Sequence, residues 1–110
     1  MKVRRLKSPR GATMVNQLVI DEGGKTWFQS YDSVIIEIEI DRECQKITVG
    51  RDWDYSITTI KCLKIFLKEK LWWSDEAVLE FKKKLKKAQS SGNNEFVYDG
   101  FSVIYDKDLR

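Results

Sequence analysis

Histidine is absent from this sequence, and that absence removes a large share of enzyme chemistry. Neither a Ser-His nor a Cys-His nucleophile–base pair can be built without it. Cysteine occurs twice, at Cys44 and Cys62, with no CxxC or CxxH spacing. A zinc site would need two lone thiolates plus carboxylates, a poor match to the usual ligand sets. No GxxxxGK[ST] or GxGxxG string occurs, so phosphate-loop chemistry has no support. No apolar run approaches the ~18 residues that span a bilayer. The N-terminal stretch MKVRRLKSPRGAT has the positive charge of a signal peptide but no apolar segment after it. These absences lead us to expect a soluble cytoplasmic protein with reduced thiols, no metal, no cofactor, no membrane partner and no catalytic residues.

What is present suits a folded domain. The 110 residues are 42% hydrophobic and 34% charged, and four Trp, four Tyr and five Phe supply material for a core. One core is the natural outcome at this length. The net charge of +3 conceals segregation. Residues 1–11 carry five bases and no acid, residues 12–60 nine acids against four bases, and residues 61–92 nine lysines against four acids. Charge arranged in blocks bears on partners and association rates rather than on fold. Pro9-Arg10-Gly11 closes the first block, so residues 1–11 read as a basic flexible arm and 12–110 as a single α+β domain.

Thr13 to Ile20 reads as a strand, and Glu22-Gly23-Gly24-Lys25 as a hairpin loop in which glycine takes the positive φ of a primed turn. That loop sets Ile20 opposite Trp27 and Val19 opposite Phe28 as cross-strand pairs. Ser33 to Ile40 alternates, with Ile36, Ile38 and Ile40 on one side and Glu37 and Glu39 on the other. Lys46 to Val49 follows as the next antiparallel strand of a meander with one wet, acidic face. Near residue 56 the period changes. Ser56 or Thr58 can cap a helix whose stripe is Ile57, Ile60, Leu63, Leu67 and Leu71, widened by Phe66 and closed by Trp72-Trp73. Ser74-Asp75-Glu76 opens a second helix with Val78, Phe81, Leu85 and Ala88 buried. Asp99-Gly100 then marks a hairpin pairing Tyr98 with Phe101 and Phe96 with Val103. The expected fold is α+β: an antiparallel sheet, built from an N-terminal hairpin and meander and a C-terminal hairpin, with two amphipathic helices on one face.

Two groups of residues stand out as candidate sites. The first is aromatic and acidic: Trp27, Phe28, Tyr31 and Asp32, with Asp52, Trp53 and Asp54 beside them. Tyr and Trp dominate interface energetics, and the acids would meet a basic partner surface. Because strand neighbours alternate, Trp27 and Phe28 point to opposite faces, so helices on one face leave one aromatic exposed. Asp52 and Asp54 also have an ordinary role as turn and cap residues beside a helix start. The second group is basic: Lys2, Arg4 and Arg5 in the arm and Lys82, Lys83, Lys84, Lys86 and Lys87 in the second helix, an alternative surface for nucleic acid. Lysines late in a helix equally complement its dipole. A homodimer through exposed strand edges is a third option.

The strings Asn16-Gln17-Leu18-Val19-Ile20, then Trp27-Phe28-Gln29-Ser30-Tyr31-Asp32-Ser33-Val34-Ile35, then Trp53-Asp54-Tyr55-Ser56 with Thr58-Thr59 and Phe66-Leu67 resemble a family of small uncharacterised proteins of bacteriophages, plasmids and related mobile elements. The resemblance covers about residues 10–68 and leaves the lysine-rich helix and last hairpin outside it. It implies a mobile-element protein acting in a bacterial host cytoplasm. It also implies that the protein acts as an inhibitor, binding a host or defence macromolecule; a nucleoprotein complex such as a CRISPR effector is one candidate.

Overall fold

The computed structural model describes residues 1–109. Seven strands form one sheet: β1 (Lys2–Lys7), β2 (Thr13–Glu22), β3 (Lys25–Ser30), β4 (Ser33–Ile40), β5 (Gln45–Val49), β6 (Glu95–Tyr98) and β7 (Phe101–Tyr105), in spatial order β1-β2-β3-β4-β5-β7-β6. A 3₁₀ turn at Arg51–Asp54 and two helices, α1 (Ile57–Leu71) and α2 (Asp75–Ser91), lie between β5 and β6. The fold is the expected α+β arrangement, with one refinement to the sheet. β7 joins β5 in parallel, while every other pair is antiparallel. The two helices form the crossover that a parallel pair requires.

Both hairpins take the expected register, Ile20 opposite Trp27 and Val19 opposite Phe28, then Tyr98 opposite Phe101 and Phe96 opposite Val103. Alternation sends Val19, Phe28, Ile36, Ile38, Ile47, Val49, Phe101 and Val103 into one core with Cys62, Leu63, Phe66, Leu67, Val78, Phe81 and Leu85 of the helices. Phe28 stacks on Phe66 at 5.6 Å between ring centroids. The opposite face has no helix on it. A row of paired positions crosses that face, running Val3, Ile20, Trp27, Glu37, Thr48 and Ile104. Lys25 bridges Glu37 and Glu39 at 3.5 and 3.4 Å, so the acidity expected there is partly neutralised.

The arm expected over residues 1–11 is instead an edge strand. Residues 2–7 pair with β2, Leu6 is fully buried, and Arg4 forms an ion pair with Glu69 of α1. One apolar side chain at the right alternation, plus a ladder of backbone hydrogen bonds, ties down a segment whose charge suggested mobility. The basic side chains keep a role suited to an edge, since like-charged strands do not pair with copies of themselves.

Ser56 caps α1, its hydroxyl accepting from the Thr59 N–H at 3.1 Å, and Ser74 caps α2 in the same way through Ala77. The buried stripe of α1 is Thr59, Cys62, Leu63, Phe66 and Leu67, rotated from the expected one, and Ile57 is 74% exposed. Ile57 shares the first helical turn with the buried Thr59 but lies about 200° round the helix from it, on the solvent side. Trp73 is buried against Phe81 and Tyr98 and donates its indole N–H to Asp99 at 2.8 Å. Trp72 caps α1 in the left-handed region at φ 60 and is 90% exposed. A side chain there meets its own carbonyl, whereas glycine does not. Trp72→Gly is therefore expected to stabilise the fold by about 0.5–1 kcal/mol, read as a higher urea midpoint with unchanged slope.

Candidate functional site

The site lies at the end of the sheet where β3 turns into β4. Ser30 and Ser33 pair across a two-residue turn, Tyr31-Asp32. Tyr31 occupies the left-handed region at φ 53, an uncommon place for a bulky residue, and its N–H donates to the Asn16 carbonyl at 2.8 Å. Just beyond, the β3–β4 register slips, with Phe28 opposite Ile36 but Gln29 opposite Val34, leaving Ile35 as a bulge. Bulges re-aim the chain beside functional sites. The Ile35 carbonyl accepts from the Gly50 N–H at 2.8 Å, which brings the 3₁₀ turn against β4. Gly50 is needed for that approach: a Cβ there would lie 2.6 Å from the Val34 carbonyl oxygen.

The 3₁₀ turn buries Trp53 completely and presents Asp52 toward Ser33, whose hydroxyl donates to the carboxylate at 2.7 Å. Ser56, not Asp54, takes the capping role, so Asp52 is held across the sheet end rather than used by the helix. The outcome is a half-open cleft of about 530 Å³ between the β3–β4 turn and the first turn of α1. Tyr31 and Tyr55, 63% and 80% exposed, line it, along with Asp32, Asp52, Ser30 and Thr58. Among the described residues, no lysine or arginine lines it, and Arg51 reaches Asp52 at 4.0 Å from beside it.

The seven aromatic and acidic candidates thus divide. Tyr31, Asp32 and Asp52 meet in the cleft, and Asp54 is half-buried on the adjoining 3₁₀ turn. Phe28 and Trp53 are 0% exposed and belong to the core, so neither presents a ring to a partner. Trp27 is half-buried on the helix-free face, in register with Ile20 and Glu37, and is not in the cleft lining. Strand alternation separates these neighbours. Tyr55, Ser30, Ser33 and Thr58 are cleft residues that sequence reasoning did not single out. Tyr55 and Thr58 lie in the WDYSxTT string, the one signal that could have flagged them.

The basic candidates are not brought together. Lys2, Arg4 and Arg5 lie on β1, at one edge of the sheet, and α2, with Lys82, Lys83, Lys84, Lys86 and Lys87, packs on β6 and β7 at the other. Arg4 is engaged by Glu69. Elsewhere, Lys64 and Lys68 hold Asp75 at the start of α2, and those bonds keep its carboxyl below the usual carboxylate range.

Both cysteines are free thiols, and burial pushes each one's pKa up, away from the reactive thiolate. Among the described residues, no cluster of three or more Cys, Asp or Glu could hold a metal ion, and no helix is long and apolar enough to cross a membrane. In comparisons with known proteins, no family model, curated protein or solved structure matches this chain.

Proposed function

We propose that this is a non-enzymatic binding protein of mobile-element type that engages a host or defence macromolecule in the bacterial cytoplasm and inhibits it. The observation that carries this reading is the cleft: two exposed tyrosines and two aspartates converge there from separate segments, with Arg51 pairing Asp52 at 4.0 Å from outside the lining. Exposed tyrosines supply contact area at low entropic cost, and surface acids favour a basic protein surface and speed its approach. The resemblance of residues 10–68 to phage and plasmid proteins supports the class of partner. The nucleic-acid alternative has less support, because its basic residues sit on opposite edges of the sheet.

The test is capture of partners from bacterial lysate by the tagged protein, with and without nuclease, using wild type, Tyr55→Ala and Asp32→Asn. Both changes are at exposed positions and should leave the fold intact. A protein partner that survives nuclease and is retained at least about tenfold less by the variants is the expected result. Captured material that disappears with nuclease would transfer the function to the lysines of α2.

A further inference from the structure

We infer that the free edge of β6 is a docking site for an extended, acidic segment of a partner protein, which adds to the sheet as a further strand. This surface is separate from the β3–β4 cleft and does not depend on it. The sheet ends at β6, which has a neighbour on one side only. Tyr98 and Phe101 flank the turn Asp99-Gly100, and the Tyr105 N–H donates to the Asn94 carbonyl at 2.8 Å. Hydrogen-bonded positions alternate along an antiparallel pair, so Phe96 and Tyr98 direct their backbone groups to β7 while those of Glu95 and Val97 point outward. Such an edge is a template for another chain, and natural edges are blunted by lysine, proline or bulges. β1, at the other edge, carries Lys2, Arg4, Arg5 and Lys7. β6 has no lysine, arginine, proline or register shift, and its Val97 is 71% exposed.

Two grooves beside that edge decide its occupant. Lys84 and Lys87 of α2 line the first together with Phe96, and Trp72 lines the second together with Tyr98. Phe96 and Tyr98 are two residues apart on one face of the strand, so an added strand offers successive same-face side chains to the two grooves. Among the described residues Lys84 and Lys87 form no ion pair, and they outnumber Glu95, the acid on that wall. They select a carboxylate. Trp72 is 90% exposed at φ 60, where glycine would be the easier residue, and an aromatic held there offers apolar contact to an incoming side chain. Antiparallel pairing, the more stable kind, then sets an apolar residue at Tyr98 and Trp72, a second at Val97, and an acid at Phe96 and the lysines. A second copy of the chain is disfavoured, because β1 is basic and pairing through two β6 edges would set one lysine-rich α2 beside another. A nucleic-acid strand would meet the lysines, but its phosphates have no N–H for the outward carbonyls of Glu95 and Val97.

The test is an amide NMR titration of the full chain, to millimolar concentration, with acetyl-Thr-Leu-Val-Glu-Thr-amide. The largest shifts are expected at Glu95 and Val97, with smaller ones at Lys84, Lys87 and the Trp72 indole. N-methylation of the peptide's valine, whose N–H faces β6, should weaken binding about fivefold or more, whereas N-methylation of its leucine, whose N–H faces away, should not. Lysine in place of the peptide's glutamate should weaken it by a similar factor, about fivefold. Lys84→Gln with Lys87→Gln should reduce the affinity for the glutamate peptide to that for its glutamine counterpart. Trp72→Gly should weaken binding about threefold while the urea midpoint does not fall. The assignment is overturned if no peptide shifts β6, if the valine-methylated or lysine peptide binds as well as the parent, or if shifts fall only on other surfaces. A thymidylate dodecamer that shifts the α2 lysines where the peptide does not would assign them to nucleic acid. Broadening of the β6 amides that grows with protein concentration in the absence of peptide would give the edge to a second copy.

Discussion

Replacing Phe28 by alanine is expected to destabilise the fold by about 3–5 kcal/mol, while Trp27→Ala costs about 1 kcal/mol or less. The two residues are neighbours, and Trp is the larger, so a reading from hydrophobicity alone would rank them the other way. Phe28 is fully buried and stacked on Phe66 between sheet and α1, and truncation leaves a cavity that the surrounding Ile36, Val19 and Leu63 cannot fill without moving. Trp27 loses only its contacts with Ile20 and its neighbours on the helix-free face. A domain of this size has a total stability of about 5–15 kcal/mol, so Phe28→Ala should leave a marginal or unfolded protein. Urea unfolding of both variants measures the contrast. A loss for Trp27→Ala as large as for Phe28→Ala would mean that something covers the second face of the sheet.

Gly50→Ala is expected to cost about 2–3 kcal/mol and to disturb the cleft as well. At φ −82 alanine is allowed by its torsions, so the effect comes from contact and not from backbone preference. The added Cβ would lie 2.6 Å from the Val34 carbonyl oxygen and 3.6 Å from that of Ile35, so the chain must move away from β4. That movement lengthens the Gly50–Ile35 hydrogen bond and shifts the turn that buries Trp53 and aims Asp52 at Ser33. A lower urea midpoint together with amide shifts at Ile35, Asp52 and Tyr55 is the expected signature. A variant of wild-type stability would show that the 3₁₀ turn is free to adjust.

Much of the fold was legible in the chain because the relevant physics is local. Gly23-Gly24 and Asp99-Gly100 set hairpin registers through turns that need positive φ, and those registers are the ones found. Ser56 and Ser74 announced helix starts because a hydroxyl can take a free N–H three residues on. The stripe of α2 followed from its period. The stripe of α1 did not, since the buried face runs through Thr59 and Cys62 and leaves Ile57 on the solvent side of the same turn.

The cleft residues were legible only in part: Tyr31, Asp32 and Asp52 by their chemistry, Tyr55 and Ser30 only as members of the strings that carry the resemblance. Whether an aromatic is core or surface depends on which face of the strand the helices cover, and alternation alone leaves that choice open for Trp27 and Phe28. By itself the sequence determined the strands from β2 onward, the hairpins, the caps and the lack of histidine chemistry, since each depends on residues a few positions apart. Tertiary structure alone decided that the basic N-terminus is an edge strand and that β7 runs parallel to β5. It also decided that Tyr31 and Tyr55 share one cleft. These outcomes depend on contacts between segments distant in the chain, and such contacts form only when burial of a common core repays the entropy of bringing those segments together.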